Sequence, residues 1–91
     1  MRYSKPDSTD WVEFKGASEL SMDELDATFG DDHKAAKAIV QSVIAAGDFT
    51  RRGQPVDVLT AGVGALTWKQ WFWLRDRLFE AVKDELADPE A

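Results

Sequence analysis

The residues best equipped for chemistry are Asp31, Asp32 and His33, consecutive in the stretch GDDHKAAK. Two carboxylates and an imidazole are donor types that bind divalent metals. Adjacent acids at a helix start are equally what capping produces, because an N-cap aspartate accepts backbone N–H bonds. His33 is the only histidine and there is no cysteine, so no second imidazole or thiolate completes a zinc set and no disulfide can form. At the edge of a helical apolar stripe, His33 reads better as a packing residue. A second candidate, VDVLTAGVGALTWK, follows the strand, glycine turn and helix start of a phosphate loop. It lacks the third glycine and the Gly-Lys-Ser/Thr ending that sets a lysine on the phosphates. Carboxylate pairs such as Asp23 and Glu24 sit where helix caps need them, and no Ser or Thr stands at a spacing that suggests a triad with the one histidine. The expectation is a non-enzyme, with no catalytic residue, no metal and no cofactor.

Bulk properties narrow the class further. Ninety-one residues fit one small domain, 1–91, with 1–9 and 88–91 as candidate flexible ends. The net charge is −6, and all of the excess lies early: residues 1–33 hold nine carboxylates against three cations, whereas eight acids and eight bases balance from Lys34 onward. Such a surface repels nucleic-acid backbones and attracts basic proteins. No apolar run reaches the length of a membrane span and no signal-peptide pattern opens the chain, so a cytoplasmic location is expected.

The elements follow from local pattern. RYSKPDSTDWVEFK reads as an N-terminal hairpin around KPDSTD, with Val12 and Phe14 on one face and Trp11 and Glu13 on the other. Ser21 with Glu24 forms a capping box for a short helix that carries Met22, Leu25 and Phe29 on one stripe and ends at Gly30. A second helix spans about residues 31–46, its Ala36, Ile39, Val40, Val43 and Ile44 forming an amphipathic stripe that Gly47 closes. DFTRRGQPVDVLT reads as a second hairpin or an irregular, hairpin-like arm, with RRGQP at its tip. Thr67 with Gln70 caps a long C-terminal amphipathic helix to about Leu86. The fold class expected is α+β, predominantly helical: an N-terminal β-hairpin, two short-to-medium helices, the arm and the long helix.

That last helix, TWKQWFWLRDRL onward, concentrates the aromatics. Its apolar side chains, from Leu74 through Leu78, Trp71, Val82, Leu86, Trp68 and Phe79 to Phe72, span an arc of roughly 160° at 100° per residue, so Trp68, Trp71 and Phe72 are expected in the core. Arg75 falls inside that arc, where its guanidinium must snorkel, pair with a carboxylate from the acidic third, or meet a partner. Trp73 lies across the helix between Lys69 and Arg77, which are placed to stack on its ring. Either the first hairpin covers Trp73 or a partner does. The candidate partner-binding residues are Trp73, Trp71, Arg75, Arg77 and Lys69.

In order, DWVEFKGASELSMDELDA, AKAIVQSVIAAGDFTRRGQPVDV and ALTWKQWFWLRDRLFEAVKDEL resemble the tail assembly chaperones of long-tailed phages that infect actinobacteria. The resemblance covers roughly residues 10–87. Where such proteins often carry a tryptophan just after V-I-A, this chain has Ala46-Gly47. The resemblance implies a non-enzymatic helper in the host cytoplasm that binds the tape measure protein and keeps it soluble while tube subunits assemble around it. Two other readings suit a small acidic helical protein: a virion structural subunit (head–tail connector, tail or decoration protein), or an acidic inhibitor of a host defence protein. The expected partner is a protein, with homo-oligomerisation a further option and neither nucleic acid nor membrane involved.

Overall fold

The computed structural model describes residues 2–6 and 8–87; the flexible end expected at 88–91 lies outside them. Strand β1 (Arg2–Ser4) pairs antiparallel with β2 (Trp11–Phe14), Tyr3 facing Val12 across the ladder. Alternation along β2 buries Val12 and Phe14 and leaves Trp11 and Glu13 half-covered, as the period-two pattern requires. A 3-10 turn at Ala17–Glu19 leads into α1 (Met22–Thr28), where the Ser21–Glu24 capping box forms in both directions.

Helix α2 covers His33–Val43, started by the Asp32 side chain accepting from the Ala35 N–H. It then passes straight into strand β3 (Ile44–Arg51). The expected second helix to residue 46 is thus three residues too long, and Gly47 is not its stop. Gly47 sits inside β3 opposite Val12. A side chain there would place its Cβ 2.8 Å from Val58 Cγ2 and 3.2 Å from the Trp11 carbonyl oxygen. Glycine serves close approach of strands at this point rather than helix termination. Gly47→Ala should lower stability by about 2 kcal/mol through overpacking, seen as an earlier midpoint in urea. An unchanged midpoint would mean that the strands do not approach this closely.

Strands β3 and β4 (Gln54–Asp57) are joined by Arg52-Gly53, both at positive φ, which is the two-residue turn that suits strand twist. The arm is therefore a hairpin, but not a separate one. Because β2 also pairs with β3, the four strands form one antiparallel sheet in the order β1-β2-β3-β4. This corrects the predominantly helical fold class with an N-terminal hairpin and a hairpin-like arm: the sheet is a full layer of four strands, larger than a hairpin and built from both. The join is hidden in the sequence because Ile44 and Ala46, two of the four residues that pair with β2, continue the apolar pattern of a helix.

Helix α3 (Trp68–Ala87) lies across this sheet. Trp73 meets Phe49 of β3 near its start, and Asp84 meets Tyr3 of β1 near its end. One cluster of buried side chains, including Val12, Phe14 and Phe49 from the sheet, Val40 and Val43 from α2 and Trp71, Leu74 and Leu78 from α3, holds the layers together. Among the described residues no helix is long and apolar enough to cross a membrane.

Candidate interaction surface

The orientation of α3 is set by a polar residue. Gln70 Oε1 accepts from the Thr67 N–H at 3.0 Å and the Thr67 hydroxyl accepts from the Gln70 N–H at 3.2 Å, closing the expected capping box. The amide nitrogen of Gln70 then turns inward. It donates to the Thr50 carbonyl at 2.7 Å and to Asp10 Oδ2 at 3.3 Å, while Asp10 Oδ1 accepts from the Thr50 N–H at 2.9 Å. Asp10 and Gln70 are only 4% and 6% exposed. Buried polar groups are stable only when bonded, so this knot locks one roll angle of the helix against β3.

That roll divides the apolar arc. With Trp68 at 0°, the buried positions Gln70, Ala81, Leu74, Leu78 and Trp71 run from roughly 200° to 300° at 100° per residue. The remainder of the arc, from Arg75 through Trp68, Leu86 and Phe79 to Phe72, faces outward. Trp68 is 62% exposed, Phe72 44% and Phe79 41%, and Phe29 at the end of α1 is 41% exposed beside them. The expectation that Trp68 and Phe72 build the core is therefore corrected. Only Trp71 of that trio is buried, because the knot at Gln70 and the small Ala81 draw the buried face toward their side of the helix.

The outward residues touch one another in an unbroken strip. His33 meets Trp68 edge-on at 5.2 Å between centroids, and Trp68 meets Phe72 at 5.9 Å. The Arg75 guanidinium carbon lies 5.1 Å from the Phe72 centroid and 4.8 Å from that of Phe29. Phe29 meets Phe79 edge-on at 6.0 Å, and Lys83 Nζ stands 5.1 Å from the Phe79 ring. Arg75 thus settles the question its position raises in the sequence. It is held between two phenylalanine rings, forms no ion pair among the described residues, and leaves its Nε buried without a hydrogen bond. Beside Trp68 a cleft of about 190 Å³ opens over Val63, Leu66 and Trp71, rimmed by His33 and Lys37. It is too small for a typical cofactor and about the size of one large side chain.

Of the five residues singled out in the sequence, the structure places only Arg75 on this strip. Trp71 is in the core, and Trp73 is half-buried with its ring edge-on to Phe49 at 6.0 Å. Arg77 pairs with Glu80 at 3.0 Å and lies 5.9 Å from the Trp73 centroid, while Lys69 is exposed on the flank. His33 opens α2 as an exposed residue, and no three His, Asp or Glu side chains converge to hold a metal among the described residues.

At the other end of α3, the Tyr3 hydroxyl donates to Asp84 Oδ2 at 2.8 Å. Burial, then the bond and charge of Asp84 and the charges of Glu80 and Glu85, push its pKa well above the ordinary tyrosine value. A proton held more tightly in the folded state stabilises fully below the unfolded value and is lost as pH rises through the folded one. This is the only tyrosine, so tyrosinate absorbance reports it directly. Its midpoint should lie above the ordinary value of about 10 and fall in Asp84→Asn. A midpoint already at the ordinary value would contradict the Tyr3–Asp84 bond.

No protein-family model, curated protein or solved structure matches the chain. The functional reading accordingly rests on the geometry of the strip and on the sequence.

Proposed function

We propose that this protein is a non-enzymatic phage tail assembly chaperone, which binds apolar helical segments of a tape measure protein in the host cytoplasm through the aromatic strip of α3. The observation that carries the reading is the strip itself. Four large rings, Trp68 against Phe72 and Phe79 against Phe29, stand substantially exposed as two contacting pairs bridged by Arg75 on a 91-residue protein. Contiguous exposed apolar surface of this kind marks interaction sites, and aromatic anchors carry much of the energy where partners bind. From Trp68 to Leu86 the face runs about 27 Å along the helix, a length suited to a helical client. The order of sequence segments that resembles tail assembly chaperones supports the same reading.

Co-expression with a tape measure protein tests it. The client should be soluble with the intact chain and aggregate with Trp68→Ser/Phe72→Ser, whose circular dichroism should remain that of the parent because both rings are exposed. Equal client solubility with and without the chain would reject the proposal. Recovery of the chain at many copies in purified particles would favour a virion structural subunit instead.

A further inference from the structure

The cleft beside Trp68 is walled by three segments that the fold holds in place. His33 and Lys37 stand one turn apart on α2, and Trp68 and Trp71 nearly one turn apart on α3. The 3-10 turn Val63–Ala65 and the Leu66 that follows it complete the lining with Val63, Gly64 and Leu66. Gln41 of α2 pins that turn. Its amide nitrogen donates to the Val58 carbonyl at 2.9 Å, and its Oε1 accepts from the Val63 N–H at 2.9 Å. On the other wall the roll of α3 is locked at Gln70, the residue before Trp71. The cleft of about 190 Å³ is therefore preformed, as ligand sites commonly are.

Its chemistry has two parts. Val63, Leu66 and Trp71 make an apolar floor, with the exposed Trp68 ring at the mouth, and the only ionisable groups in the lining are Lys37 and His33. No carboxylate lines it, although the chain carries 17 acids against 11 lysines and arginines. Asp32, next to His33, is engaged in capping and accepts from the Ala35 N–H at 3.1 Å. Lys37 makes no ion pair or hydrogen bond among the described residues. Its side chain runs past Gly64, where an added Cβ would stand 3.8 Å from Cδ and 3.9 Å from Nζ. An uncompensated ammonium thus sits at the lip of an apolar cleft. A cationic guest would be repelled by it, and an inorganic anion would leave the aromatic floor unfilled. A neutral hydrocarbon would forgo a charge-assisted hydrogen bond.

We propose that this cleft binds a monocarboxylate carrying one aromatic or branched apolar group. The apolar group lies on Val63, Leu66 and Trp71, and the carboxylate accepts from Lys37 with the His33 imidazole beside it. A free small acid and the C-terminal residue of a peptide both present that chemistry. The site is independent of the chaperone reading, since it requires neither Phe72 nor Phe79 nor a helical client.

Two probes test this against the full chain: 3-phenylpropanoate, and acetyl-Gly-Gly-Phe with a free C-terminus. Each is compared with its neutral amide at matched ionic strength. The chain has four tryptophans, so their indole N–H signals report the site in a proton–nitrogen spectrum. A bound probe should shift those of Trp68 and Trp71 and leave that of Trp11 in place. The dissociation constant should be about 1–5 mM, which suits a guest of ~11 non-hydrogen atoms. The amide should bind about tenfold more weakly. Lys37→Met, a change at an exposed position, should bring acid and amide to equal affinity. Gly64→Leu, whose added Cβ meets only the flexible end of Lys37, should block both. Binding of the free acid alone assigns the cleft to small acids and binding of the peptide alone to chain termini, and either result supports the proposal. Equal affinity of the parent for acid and amide would overturn it. So would acid binding unchanged by Lys37→Met or by Gly64→Leu, shifts centred away from Trp68 and Trp71, or no shift from either acid at about 30 mM.

Discussion

Replacing Asp10 with alanine should cost about 3 kcal/mol of stability, because it strips the Thr50 N–H and one Gln70 N–H of their acceptor inside the fold. A buried donor left unsatisfied costs about 1–3 kcal/mol, more when its partner was charged. At this chain length each kcal/mol moves the thermal midpoint by roughly 4–8 °C, so the melting temperature should fall by more than ten degrees or so. Asp10→Asn keeps one acceptor oxygen but turns an NH2 group toward one of the two donors, and should cost roughly half as much. The pair Asp10 and Gln70 should couple in a double-mutant cycle by about 1–2 kcal/mol. The knot would lose its assigned role if Asp10→Ala unfolded within ~0.5 kcal/mol of the parent, the scatter typical of ordinary surface changes.

The same knot shows what the sequence conceals. Local chemistry was legible: the two capping boxes, the alternation of Val12 and Phe14, and a tip within RRGQP all depend on residues a few positions apart. What failed depends on distant partners. Gln70 reads as a helix cap, and nothing nearby says that its amide nitrogen reaches Asp10, 60 residues away. Gly47 follows a helical stripe and reads as a stop, yet its role is set by Val58 and Trp11 across the sheet. The periodicity of α3 correctly marks an apolar arc but cannot say which part is covered, because the sheet that covers it was itself misread as two hairpins. Of the site, Arg75 was recognisable as an anomaly within that arc. The outward placement of Trp68, Phe72 and Phe79 was not, because their spacing of four and seven residues marks one helical face without saying whether it is covered.

Leu74→Ala and Phe72→Ala, two residues apart on one helix, should separate sharply. Leu74 is fully buried in the core cluster, so its truncation loses transfer energy and leaves a cavity, at a cost of about 2–5 kcal/mol. Phe72 is the larger side chain, yet nearly half of it is already exposed and its contacts are with Trp68 and Arg75 at the surface. It should cost about 1 kcal/mol or less, from partial area and a weak ring–cation contact. Hydrophobicity alone predicts the opposite order, so the comparison tests the roll of α3 directly. If Phe72→Ala proved as destabilising as Leu74→Ala, the helix would be turned to bury its aromatic face, and the strip would be core rather than contact surface. If the order is as expected, the protein keeps its aromatics outward at little cost to folding. Loss of client binding in a strip variant then reports on recognition, because the fold beneath it is held by Leu74, Leu78 and the Asp10–Gln70 knot.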